Sequence, residues 1–152
     1  MIAIKKSQTA DTRSCDFSTV TKEQLEASSY QHIGDVNKGI FFFKTLLTDA
    51  GSKHDNDKIT KLDHFHADFI TGFQQTGWWD NHRKITRHHL TAEDGIPEDV
   101  NLIDVLEMIA DCVMAGMGRT GSVYPLTINP DVLKRAVDNT MELLKSQIVV
   151  EG

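Results

Sequence analysis

The stretch LIDVLEMIADCVMA, Leu102 to Ala115, decides the fold class. Only Asp104, Glu107 and Asp111 interrupt a run that is otherwise apolar or Cys. At about 100° per residue these three carboxylates fall within about 60° of one another on a helix. The remaining surface is apolar nearly all round, so the helix should be mostly buried. Carboxylates on a buried helix are costly unless they are paired, hydrogen-bonded or bound to a metal. The plainer reading, a solvated row with Asp104 as a first-turn cap, holds only if the row faces water.

Outward from this helix the chain keeps a helical grammar. Asn101 is placed to cap it, and Gly116, Gly118 and Gly121 mark a loop after it. Asn129 before Pro130 starts a last helix, with Val132, Leu133, Ala136, Val137, Thr140 and Leu144 down one side. Upstream, residues 91–100 read as a loop and Asp80 to Leu90 as a short helix. Ser52 is placed to cap a further helix carrying Ile59, Leu62, His66, Phe69, Ile70 and Phe73, which Gly72 to Gly77 ends. Thr21 with Gln24 forms a capping-box pattern. It opens a first helix striped by Leu25, Ile33, Val36, Ile40, Phe43 and Leu47, with Gly51 as its stop and Gly34 and Gly39 as points of weakness. No alternating strand pattern stands out. The expected fold is all-α, a single-domain bundle of about five main helices over residues 21–150, preceded by an arm or irregular segment at 1–20.

The 152 residues are 39% hydrophobic and 25% charged, close to the globular average and enough for one core. The net charge of −6 disfavours duplex nucleic acid as a partner, because backbone affinity comes from clustered Lys and Arg. A small phosphate-bearing ligand stays compatible with it. The apolar run Ile40 to Phe43 is too short to span a bilayer, and Met1 to Lys6 is not followed by a signal-type apolar stretch. No membrane role and a cytoplasmic location are therefore expected. Cys15 and Cys112 are too few for a disulfide framework or a Cys-rich zinc site.

All seven histidines fall between positions 32 and 89. His32 sits on the apolar stripe of the first helix, where a lone imidazole is usually a satisfied boundary residue. His54 adjoins Asp55 at a helix start, where a carboxylate is commonly only a cap. His82 and His89 lie two turns apart on one face, with His88 beside them. That is a plausible ligand geometry, and a solvated face with Arg83, Lys84 and Arg87 is its alternative. His64 and His66 read as packing or surface residues. The pair Trp78-Trp79 reads as exposed, suited to stacking on a base or to a core or subunit contact.

The order His32, His54-Asp55, Asp111 resembles the HD superfamily of metal-dependent phosphohydrolases. SKHDNDK opens a helix, and MIADCVMA is similar to the segment around the last metal-ligating Asp of that superfamily. The resemblance implies that His32, His54, Asp55 and Asp111 bind a first metal. The further histidines resemble the dinuclear branch, which includes the HD-GYP phosphodiesterases and the di-iron HD oxygenases. They imply a second metal on His82 and on His88 or His89, bridged by Asp55. Residues 29–117 are also similar to an uncharacterised phage and bacterial family of small HD-like proteins, which shares His-Asp-x-x-Lys, the paired histidines and Asp-x-x-Glu-x-x-x-Asp.

The resemblance implies two divalent ions, with Mn, Fe, Co, Ni, Zn and Mg not distinguished by the ligand types. It also implies hydrolysis of a small phosphate ester, a nucleotide in particular, by a monophosphatase or phosphodiesterase. Asp55, Lys58 and Glu107 are the candidate catalytic residues. Lys58 and Arg119 are candidates for the substrate phosphate, and Glu107 also for bonding a ligand histidine. For Lys58 the alternative is a surface lysine on Asp57 or Asp55. Two other functions use the same residues: a di-iron oxygenase, and a non-catalytic module that binds metal or nucleotide. A homo-oligomer is compatible with all three. The DTRSC stretch, with Arg13, is expected either over the site or in a subunit arm.

Overall fold

The computed structural model describes residues 1–6 and 18–151. In chain order these form β1 (Ile2–Lys5), α1 (Lys22–Lys53), α2 (Asn56–Thr60), α3 (Leu62–Phe69), α4 (Trp78–Ile85), a 3-10 turn (Glu93–Gly95), α5 (Leu102–Thr120), α6 (Pro130–Lys145) and β2 (Ile148–Glu151). The architecture is all-α in its bulk, as the periodicity indicates. Arg13 and Cys15 lie outside the described residues. No helix among the described residues is long and apolar enough to cross a membrane.

The chain divides into two compact units, Met1–Thr45 with Glu142–Gly152, and Leu46–Met141. In the first unit β1 and β2 pair in parallel, Ile2 opposite Ile148 and Lys5 opposite Glu151. This ribbon corrects the expectation of an irregular start and no strand. Each strand has four residues, too few for alternation to stand out. Polar side chains of α1 tie β1 down: Lys38 Nζ donates to the Ala3 carbonyl at 2.8 Å and Gln31 Nε2 to that of Lys5 at 2.8 Å. The Thr21–Gln24 capping box forms in both directions, at 3.0 and 3.2 Å. Helix α1 runs unbroken through Gly34 and Gly39, and the apolar side chains Ile33, Val36 and Ile40 are exposed.

The second unit is built on α5. Val105 and Met108 pack with Val132 and Ala136 of α6 and with Leu90 and Val100 from the connecting turns. The Cys112 thiol is free and packs against this core. The Asn101 cap is realised: its side chain accepts from the Ile103 amide at 2.9 Å, and Asp104 Oδ2 accepts from the Asn101 amide at 2.9 Å. The expected loop after Gly116 is corrected. Helix α5 continues to Thr120 and ends at Gly121, whose φ of 73° suits glycine. Gly116 is a packing glycine instead, since a Cβ there would lie 2.5 Å from the Ser122 carbonyl oxygen.

The expected single helix from Ser52 to about Gly72 is also corrected. Ser52 belongs to α1 and donates to the Asp49 carbonyl. The chain breaks at Asp55, with φ 52°, and again at Lys61, with φ −122°. Asp is among the few non-glycine residues that adopt the left-handed region readily. Asp55 makes no side-chain capping bond, so its carboxylate is free for other partners.

Candidate metal centre

Every element that supplies this site lies in the second unit. His54 and Asp55 form the turn between α1 and α2, and α4 supplies His82. The turn after α4 supplies His88 and His89, and α5 supplies Glu107 and Asp111. Asp55, His82, His88 and His89 each bring one ligating atom within 4.8 Å of the others, close enough to hold a metal ion. His54, His88 and Glu107 form a second group on the same criterion. His82 Nε2 lies 3.4 Å and His88 Nε2 3.5 Å from Asp55 Oδ1.

The hydrogen bonding of the first group identifies what it lacks. Asp55 Oδ1 and the Nε2 atoms of His82, His88 and His89 are all buried and have no hydrogen-bond partner among the described residues. A buried polar atom left unpaired costs about 1–3 kcal/mol. Four that converge form a donor set able to hold a cation. Three imidazoles and a carboxylate suit zinc, iron, cobalt, nickel or manganese.

Outer partners orient the rings. His82 Nδ1 and Asp57 Oδ2 are 2.8 Å apart, and His54 Nδ1 and Glu107 Oε1 are 2.9 Å apart. A carboxylate only accepts, so each Nδ1 donates here and each Nε2 is the ring atom left to ligate. His88 Nδ1 lies 3.0 Å from the same Glu107 oxygen but out of line for a hydrogen bond. Trp78 and Trp79 both stack on His82, with centroids at 4.7 and 5.3 Å. Trp78 is buried, which corrects the reading of an exposed pair. His82 itself has no exposed surface.

The electrostatics act on His89, Asp55 and Glu107. Burial and the neighbouring His88 and His82 push His89 down to about 4, so it is neutral at pH 7. Burial pushes the Asp55 carboxyl up, but the hydrogen-bonded Lys58 ammonium, with the fields of His54 and His88, holds it below its ordinary value. Burial likewise raises Glu107, and His88 and His54 outweigh it and bring it below its ordinary value.

Other expected site residues find different places. Lys58 Nζ bonds Asp55 Oδ2, one of the alternatives its sequence position allowed. Asp111 Oδ1 is 3.6 Å from His54 Nε2, which also faces Asp55 Oδ2 at 3.5 Å. Asp104 is structural: besides capping α5 it takes a two-pronged bond from Arg87 Nε and a terminal nitrogen, at 2.8 and 2.9 Å. Arg119 is exposed on the last turn of α5 and belongs to neither ligand group. His64 and His66 are exposed. His32 is exposed on α1 in the first unit and belongs to neither ligand group.

Three contributors escaped sequence reasoning. Asp57 orients His82, with no signal beyond being two residues past Asp55. Arg87 anchors the start of the His88-His89 turn to α5 through Asp104. Gly95 lets the 3-10 turn press against that same segment, since a Cβ there would meet the His89 carbonyl oxygen at 2.7 Å and that of Arg83 at 2.9 Å. Comparison of the chain with models of known families, with curated proteins and with solved structures finds no match.

Proposed function

We propose that this chain is a metal-dependent phosphohydrolase acting on a small phosphate ester of the nucleotide class. The observation that carries the reading is the convergence of four unpartnered, buried ligating atoms from Asp55, His82, His88 and His89. The HD-like order of His54-Asp55, the paired histidines and Asp111 supports it. An ion held there would supply Lewis acidity towards a phosphoryl oxygen and would lower the pKa of a water towards about 7.

The chain's own residues do the rest. Asp57 and Glu107 fix the His82 and His54 rings through Nδ1 and leave Nε2 as the ligating atom. Lys58 bonds Asp55 Oδ2 and, as a point charge on a flexible stem, would serve a phosphoryl oxygen in exchange. A second ion, as the resemblance implies, would be held in this unit by His54 and Asp111, whose Nε2 and Oδ1 lie 3.6 Å apart.

The test is phosphate release from nucleoside monophosphates, cyclic nucleotides and 4-nitrophenyl phosphate with manganese, cobalt or iron. Asp55→Ala is expected to abolish release with helicity retained. Full activity in that variant overturns the mechanism. The three-imidazole donor set also suits iron, which favours a di-iron oxygenase as the second reading. Oxygen uptake with ferrous iron and no phosphate release from any ester would establish it.

A further inference from the structure

We propose that the cavity beside His54 receives the organic part of the substrate, and that this part is apolar or aromatic. The inference rests on the phosphoester reading and sharpens its substrate class. The cavity has a volume of about 330 Å³. That is at the small end of ligand pockets, which run from roughly 300 to 1,000 Å³. Its walls are Leu47 and Ala50 of α1 and Leu106, Ala110 and Met114 of α5. One side of each helix therefore lines it with aliphatic groups.

The polar lining consists of His54, Glu107 and Asp111. These tie the cavity to the metal centre, because Glu107 Oε1 is 2.9 Å from His54 Nδ1 and 3.0 Å from His88 Nδ1. A molecule with its phosphoryl group on the ion therefore has its ester substituent beside the cavity. The lining holds two carboxylates and neither Lys nor Arg. A phosphate inside it would meet like charge, so a polyphosphate tail does not lie there. An uncharged group that buries apolar surface does.

Gly51 supplies the means of testing this. It lines the cavity, and a Cβ built on it meets nothing within 4 Å. It also sits in a helix, where glycine is the weak residue. Gly51→Phe therefore plugs the cavity without forcing the backbone. Ala110→Leu narrows it from the α5 wall and serves as the second variant.

The experiment is calorimetric titration of the full, manganese-loaded chain with methylphosphonate and with benzylphosphonate. Neither can be hydrolysed, so binding is read without turnover. Benzylphosphonate is expected to bind about tenfold tighter or better. In Gly51→Phe and Ala110→Leu the ratio of the two affinities is expected to fall towards one, with metal content unchanged. If methylphosphonate binds and the benzyl group adds nothing, or if its advantage survives in both variants, the inference is overturned and the phosphoester reading stands. If neither phosphonate binds and 4-nitrophenyl phosphate is not hydrolysed, both are overturned.

Discussion

Asp57 Oδ2 accepts a 2.8 Å hydrogen bond from His82 Nδ1, across 25 residues of sequence. The bond fixes the ring so that His82 Nε2 faces Asp55 Oδ1, 3.4 Å away. Asp55 and Asp57 thus flank one imidazole: one faces its Nε2, the other accepts from its Nδ1. Two tryptophan rings complete the hold, one of them nearly parallel to His82 at 14°.

Removing the Asp57 carboxylate should therefore weaken metal binding without unfolding the chain. Partners of this kind are worth about 10–100-fold in metal affinity. Asp57→Ala is expected to lose that much in competition with a fluorescent chelator, and Asp57→Asn, whose amide oxygen still accepts, less. Unchanged affinity in Asp57→Ala would show that the tryptophan stack alone orients His82.

How much of this was legible depended on the range of each interaction. The Asn101 and Thr21 caps join residues three or fewer apart, and both were readable as local patterns. The candidate ligands were readable because His and Asp are chemically distinctive, and both His88 and His89 bring a ligating atom into the one group that could hold an ion. The orienting partners were not readable. Asp57 and Arg87 act across 25 and 17 residues, and Gly95 on carbonyls 6 and 12 residues back, through bonds or close approach that no period encodes. The β1–β2 ribbon pairs the two ends of the chain, so neither four-residue strand carried its own signal. The break at Asp55 depends on a left-handed backbone that this Asp adopts and many others do not.

Lys58 and the His82 group make opposite predictions for metal content. His82→Ala removes one of four ligating atoms and is expected to bring two ions per chain down to about one. Lys58→Ala frees Asp55 Oδ2 and is expected to strengthen retention of the ion on His54 and Asp111. Elemental analysis of protein purified without chelator reads both. One ion per chain, unaffected by His82→Ala, would remove this histidine group as a metal site.

Asp68 sets an acid limit on stability. It is fully buried and accepts from the backbone amides of Gln75, Thr76 and Trp79, at 3.3, 2.8 and 3.1 Å. Those bonds, led by the one from Thr76, hold its carboxyl below the ordinary value despite burial. Its folded pKa is thus lower than its unfolded one. The stabilisation is complete above the unfolded value, about 3.9, and is lost as pH falls through the folded value. Thermal unfolding of the natural chain should therefore drop steeply below about pH 4. Asp68→Asn should lie lower at neutral pH and fall less steeply in acid. Parallel curves for the two proteins would place the acid limit elsewhere.

Gly95 offers the sharpest separation of shape from chemistry at the metal centre. It touches no candidate ligand side chain through a polar bond, and its φ is not in the left-handed region. Yet a Cβ there would press on two backbone carbonyl oxygens, those of His89 and Arg83, at 2.7 and 2.9 Å. Neither is the end of a flexible side chain, so the 3-10 turn or the His88-His89 turn must shift. Overpacking of this kind costs about 1–3 kcal/mol. Gly95→Ala is therefore expected to lower the unfolding free energy by that amount and to weaken metal binding through displaced His89. Saturating metal should restore part of the lost stability, because an ion that binds only the folded chain pulls the turn back. If Gly95→Ala loses stability while metal affinity stays at the natural value, the strain is relieved on the Glu93–Gly95 side and the His88-His89 turn is held independently by Arg87 and Asp104.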